Sequence, residues 1–270
     1  MGSKEFDDNF VRFFSQHLVA LNVACDSPGG VQVADAYSCF VLEIGDECFL
    51  VAAGHSLMAL YAELPKRTGV KASLFDGWMR TASQEPIPFD LLGATRFVVD
   101  ENGLDLGVIH LPPLHVRNLR ANGIKPFDEK GWREPPPSSE MVRYAVIGLP
   151  ERFIERETMK SGAARVSVNP TFVYLEGVDA PEDMKRSFPC FYGKLPDKLY
   201  NPNAGVSLED MAGFSGGPII GFSKRPHGDG ELRYHLIAVQ SAWRRDHRVV
   251  VGPLMSVVAV GLEEAITKSA

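Results

Sequence analysis

Residues 211–220 read Met211-Ala212-Gly213-Phe214-Ser215-Gly216-Gly217-Pro218-Ile219-Ile220. A serine is surrounded by three glycines, and the chain then runs into an apolar, strand-like segment. Glycines let the backbone turn sharply beside the serine and allow other groups to approach closely. A serine needs such a setting if its hydroxyl must be exposed and its neighbouring N–H groups must face a substrate oxygen. Two other stretches match it in kind. Residues 49–56, FLVAAGHS, are an apolar strand that ends in small residues and leaves the imidazole of His55 at its end. Residues 103–111, GLDLGVIHL, place Asp105 at the start of an apolar strand, where it is expected to be substantially buried. A buried carboxylate is costly unless a donor meets it.

Singly, each has a plainer reading: a surface or satisfied core histidine, a turn-accepting aspartate, a tight turn. Together they supply three complementary groups in the order His, Asp, Ser. The separations are 50 residues from His55 to Asp105 and 110 from Asp105 to Ser215.

The rest of the chain bounds the reading. It has 270 residues, 45% hydrophobic and 23% charged, close to a soluble globular average and unlike a disordered protein. A net charge of −6 and a pI near 5.7 argue against a nucleic-acid or anionic-membrane partner, which would need a concentrated basic surface. The N-terminus, MGSKEFDDNFVRFF, turns acidic at once and lacks the apolar stretch of a secretory leader, and no segment reads as a membrane helix. Cys25, Cys39, Cys48 and Cys190 show no CxxC spacing. Reduced thiols in a cytoplasmic protein are expected, with one or two disulfides in a secreted form as the alternative.

Short apolar runs bounded by turn residues dominate. Strands are expected at 17–25, 70–75, 96–99 and 104–111, with a hairpin of 40–44 and 48–52 around Gly45-Asp46. They resume at 142–149, 164–175, 218–222, 232–241 and 249–251. Between the two groups lies a proline-rich crossing from 112 to about 141. Helices are expected only at 6–16 and 258–268.

The three segments resemble the signature blocks of trypsin-like, chymotrypsin-fold serine proteases. VAAGHS resembles the histidine block, LDLGVIHL the aspartate block and GFSGGPII the serine block, and the chain order is that family's order. The resemblance covers most of the chain from about residue 31. It implies an all-β fold of two six-stranded antiparallel β-barrels, with a short N-terminal helix and a C-terminal helix. The expected division is 1–30 as an N-terminal extension and first strand, 31–112 as a barrel carrying His55 and Asp105, and 113–141 as the linker. A second barrel, 142–257, would carry Ser215, and 258–270 would be the closing helix. The implied activity is hydrolysis of peptide bonds through an acyl-enzyme. His55 takes the Ser215 proton during attack and returns it to the leaving amine, and Asp105 orients the imidazole. The N–H groups of Gly213 and Ser215 form the oxyanion hole. No metal or organic cofactor is needed, there is no HExxH, and His110 and His115 lack a third ligand. The partner is a protein or peptide substrate, with room for a regulatory protein.

Departures from the secreted digestive enzymes matter. Phe214 stands where trypsin has the Asp that pairs with a newly cut N-terminus, and Ser56 replaces the cysteine after the histidine. Both fit an intracellular enzyme of bacterial type. Glu209 and Asp210 lie where the resemblance puts the base of the specificity pocket, which implies cleavage after Arg or Lys, though solvated loop acids read equally from the residues alone. Ser241 and Trp243, in Gln240-Ser241-Ala242-Trp243, resemble the strand that pairs with substrate, with Trp243 displaced by one position. Gly213-Phe214-Ser215-Gly216-Gly217 also fits the G-x-S-x-G nucleophile elbow, but a strand rather than a helix follows it, and the acid and histidine precede it. A catalytically silent domain that binds a peptide or protein partner, and an esterase, are the alternatives by function.

Overall fold

In a computed structural model, residues 4–27, 32–75, 86–101, 103–158, 164–196, 210–224 and 232–269 are described. Helix α1 (Lys4–Phe14) precedes the first group of strands, β1 (Leu18–Asp26), β2 (Gln32–Ile44) and β3 (Glu47–Ala52). Helix α2 (Gly54–Glu63) interrupts them, and β4 (Thr68–Phe75), β5 (Ile87–Phe89), β6 (Arg96–Glu101) and β7 (Leu104–His110) follow. The crossing carries two short helices, α3 (Pro113–Ala121) and α4 (Glu129–Trp132). It buries Leu119, Ile124, Phe127 and Trp132. The second group is β8 (Met141–Gly148), β9 (Glu155–Thr158), β10 (Ala164–Ser167), β11 (Thr171–Gly177), β12 (Cys190–Lys194), β13 (Pro218–Lys224), β14 (Leu232–Val239), β15 (Ala242–Arg244) and β16 (Val249–Pro253). Helix α5 (Met255–Ser269) ends the fold.

The expectation of two six-stranded barrels is not met. There are two open, seven-stranded antiparallel sheets, ordered β5-β4-β1-β2-β3-β7-β6 and β14-β13-β8-β11-β12-β16-β15. A separate two-stranded ribbon joins β9 and β10. The edges explain why neither closes. In the first sheet, β5 is three residues long and carries Pro88, which has no N–H to offer a further ladder. In the second, β15 is three residues long, and among the described residues the pairing of β14 beside the end of β16 is limited to the isolated bridge Ala238–Leu254. Helices stand at both ends, as expected, and the hairpin of β2 and β3 turns at Gly45 with φ 58°.

Both faces of the central strands are buried. Along β2, Phe40, Leu42 and Ile44 join an apolar layer shared by the two sheets, while Cys39 and Val41 face a second cluster closed by Leu57 and Leu60 of α2. Along β8, Ala145 and Ile147 enter the shared layer, and Tyr144 and Val146 face the core of the second sheet. This is the two-residue period of a strand, with apolar groups on each side. The shared layer also takes Val11 and Phe14 of α1 and Met255, Val258 and Leu262 of α5, so the terminal helices clamp the sheets together. All four cysteines are unpaired. Burial pushes the Cys39 thiol up to about 12, and those of Cys48 and Cys190 up to about 11. They are therefore packing groups rather than reactive thiolates.

Candidate active site

Strand β3 stops at Ala52, Ala53 stays extended at φ −75° and ψ 138°, and α2 starts at Gly54. His55 is thus the second residue of a helix, not a residue hanging off a strand end. Gly54 is required there: a Cβ would strike the Val99 carbonyl and come within 2.7 Å of the Leu106 backbone nitrogen. That close approach sets the helix start against β7. Asp105, the second residue of β7, meets it with both oxygens. One accepts the His55 backbone N–H at 2.8 Å, and the other accepts from His55 Nδ1 at 2.6 Å. A single carboxylate therefore satisfies one free N–H of the helix start and fixes the ring.

The consequences for the imidazole are definite. A carboxylate only accepts, so Nδ1 carries a proton, and in the neutral ring Nε2 presents its lone pair. Asp105 is buried at 8% exposure, while the His55 side chain is 43% exposed, so the ring is reachable from outside. The hydrogen bond to Asp105 lifts the His55 pKa above its ordinary value. Partial burial of the ring opposes this, and the charges of Asp105 and Asp100 add to it.

The serine loop is pinned peptide by peptide. The Glu151 N–H donates to the Ala212 carbonyl at 3.0 Å, and the Gly217 N–H to the Phe214 carbonyl at 2.8 Å. The Phe214 N–H donates to Met211, and the Gly216 N–H to Gln240. Phe214 is fully buried in the core of the second sheet and anchors the turn from below. Two N–H groups in this run, those of Gly213 and Ser215, have no partner among the described residues. The N–H groups of Ala212, Phe214, Gly216 and Gly217 around them are all bonded, which sets that pair apart.

Three glycines make the turn possible. Gly213 and Gly216 have φ of 86° and 91°, the left-handed region that other residues rarely enter. A Cβ on Gly216 would run into the Ser38 carbonyl and lie 2.8 Å from the Ala53 nitrogen. The turn carrying Ser215 therefore presses on the end of β3, two residues before His55. No hydrogen bond joins the Ser215 hydroxyl to His55 among the described residues.

The expected pocket residues fall differently. Glu209 lies outside the described residues. Asp210 is half-buried: one oxygen accepts the Ala212 N–H at 3.1 Å, and the other faces Arg245 at 3.6 Å. Ser241 is buried, and its hydroxyl donates to the Val251 carbonyl at 3.2 Å, which ties it to β16. Trp243 is half-buried on β15 against the core of the second sheet, and its indole N–H has no partner among the described residues. Sequence reasoning did not find Ser38 or the Glu151 N–H, both of which hold the loop. The signal for Ser38 was a lone hydroxyl in the apolar run leading to Phe40-Val41-Leu42. Asp183, Asp246 and His247 lie close enough together to share a metal ion, but both carboxylates are exposed and the Arg244 guanidinium already bonds them.

No family model matches the sequence, and no curated protein matches it. Among solved structures the chain is similar to the active form of the Rv3671c protease from M. tuberculosis, with 14% identity over 97% of this chain and 86% of that one and a TM-score of 0.48. It is also similar to the serine protease domain of the Sesbania mosaic virus polyprotein, with 14% identity over 88% of this chain and 89% of that one and a TM-score of 0.39. Likenesses this distant carry no part of the argument. Among the described residues no helix is long and apolar enough to cross a membrane.

Proposed function

We propose that the protein is a serine endopeptidase in which Ser215 attacks, His55 moves the proton and Asp105 holds the imidazole. The observation that carries this is the unpaired N–H groups of Gly213 and Ser215, in a loop pressed onto the strand end that leads to the His55–Asp105 pair. Serine is a weak nucleophile because its hydroxyl is protonated at neutral pH. The Nε2 lone pair, left free by the proton on Nδ1, accepts that proton as Ser215 Oγ bonds the carbonyl carbon. The negative oxygen of the tetrahedral intermediate goes to the two free N–H groups, each such donor being worth about 3–4 kcal/mol of barrier. The imidazolium then protonates the leaving amine, and water hydrolyses the acyl-enzyme by the same steps. The missing Ser215–His55 hydrogen bond suits a resting state, since such bonds tighten when substrate binds.

Cleavage after Arg or Lys is the specificity we assign, on Glu209 and Asp210. For Asp210 to select a basic residue, the substrate must displace Arg245, whose 3.6 Å contact is exposed and correspondingly weak. A peptide-library profile peaking at Arg and Lys supports the assignment, and an apolar or acidic peak overturns it. Four unpaired thiols suit a reducing, cytoplasmic setting.

The second reading, a silent domain that binds a peptide, is favoured by the same lack of a Ser215–His55 hydrogen bond among the described residues. An active-site phosphonate ester separates the two. Labelling of the wild type and not of Ser215→Ala supports the peptidase, and no labelling of either supports the silent domain.

A further inference from the structure

We propose that Ser38 is a positioning residue of this site, holding the Gly213 carbonyl so that the Gly213 N–H faces the substrate oxygen. The inference rests on the peptidase reading and adds a residue from the other sheet to it. Ser38 lies on β2 and is 1% exposed. Its hydroxyl donates to the Gly213 carbonyl at 2.6 Å and accepts the Leu149 N–H at 2.8 Å, so its proton has one destination. Its own carbonyl lies against Gly216. One residue of the first sheet thus touches the serine loop on both sides of Ser215, 175 positions from Gly213 along the chain.

Gly213 is the soft joint of the loop. Glycine explores more backbone conformations than any other residue, so a glycine N–H is aimed only if both flanking peptides are held. The preceding peptide is held by the Glu151 N–H on the Ala212 carbonyl. The following peptide is held by Ser38. Its trans geometry turns the Phe214 N–H to the opposite side, where it meets Met211 at 3.1 Å. Without the Ser38 hydroxyl, the Gly213 carbonyl and the Leu149 N–H both lose a partner, and only the 3.1 Å bond from the Phe214 N–H to Met211 still holds the Gly213–Phe214 peptide. Ser38 never touches substrate; it acts through Gly213.

The test compares Ser38→Ala, Ser38→Cys and Ser38→Thr with the wild type. Peptide turnover, phosphonate labelling, thermal melting and amide hydrogen exchange at Phe214 are measured for each. Ser38→Ala is expected to lower kcat and the labelling rate about 10- to 100-fold, below the full loss of an oxyanion donor, with KM within about threefold. Exchange at Phe214 rises more than melting accounts for. Ser38→Cys keeps the shape with a weak donor and falls between, so it serves if the alanine variant does not fold. Ser38→Thr restores the donor and most of the rate. A folded Ser38→Ala or Ser38→Cys with kcat and Phe214 exchange both within threefold of wild type reduces Ser38 to a seam between the sheets and overturns the proposal. A wild type that fails to label sinks the peptidase reading separately. Exchange at Phe214 then decides alone: a rise upholds the hold on the loop, and no change ends it.

Discussion

Asp105→Asn should cripple the site while leaving the fold nearly intact, and the reason lies in its two contacts. Both oxygens of Asp105 accept, one from the His55 backbone N–H at 2.8 Å and one from Nδ1 at 2.6 Å. Asparagine offers one acceptor and one donor group. The backbone N–H cannot change its role, so the amide oxygen stays with it and the NH₂ faces the ring. The imidazole then adopts the other tautomer, with the lone pair on Nδ1 and the proton on Nε2. A base whose outward nitrogen already carries a proton cannot take one from Ser215. The expected loss is about 10⁴-fold in kcat, the scale for a wrong-tautomer histidine in such a triad. Stability should fall by no more than about 1.5–3 kcal/mol, the range for one charge-assisted hydrogen bond. Nitrogen-15 NMR of His55 reads the tautomer, and single-turnover acylation reads the rate. A variant that keeps the proton on Nδ1, or acylates within tenfold of the wild type, would refute the reasoning.

Further expectations concern pH and backbone. His17 accepts no solvent: Nδ1 meets the Lys125 carbonyl at 2.6 Å, Nε2 meets the Tyr234 hydroxyl at 3.1 Å, and burial lowers its pKa to about 4. The unfolded chain therefore takes a proton first as pH falls, and stability should drop between pH 6.5 and 4 by up to about 1.4 kcal/mol per unit. Urea denaturation against pH checks this, and His17→Gln should flatten the limb. His55 has the opposite sign: its raised pKa stabilises the fold below pH 6.5, and that contribution fades as pH rises through the raised value. Turnover needs the neutral ring, so the acid limb of kcat/KM should lie above pH 6.5; a midpoint below it contradicts the Asp105 pairing. Gly216→Ala forces a side chain into φ 91° and onto the Ser38 carbonyl, and should cost about 2–4 kcal/mol together with labelling. A loss under about 0.5 kcal/mol in chemical denaturation contradicts that.

What the sequence disclosed follows from how local each feature is. Phe40, Val41 and Leu42, like Ala145, Val146 and Ile147, are buried on both faces of their strands, so they read as continuous apolar runs. The burial of Asp105 was read from its place in an apolar strand. Helix α2 was not read, because Ala53 gives its start no side-chain cap; the acceptor is Asp105, 50 residues on. Pro112-Pro113 looked like a linker and is instead the start of α3, where proline suits the first turn. Closure into barrels was inferred from a family pattern, whereas it depends on edge strands as short as β5 and β15, which have no strong pattern of their own. Ser38 is a single hydroxyl whose meaning arises only from contacts with Leu149 and Gly213.

The decisive measurement is a crystal structure of the protein after reaction with the phosphonate ester. A bond from Ser215 Oγ to phosphorus is expected, with the phosphoryl oxygen 2.7–3.1 Å from both the Gly213 and Ser215 nitrogens. An adduct whose oxygen points away from those two groups, or a Ser215 left unmodified, contradicts the proposed chemistry.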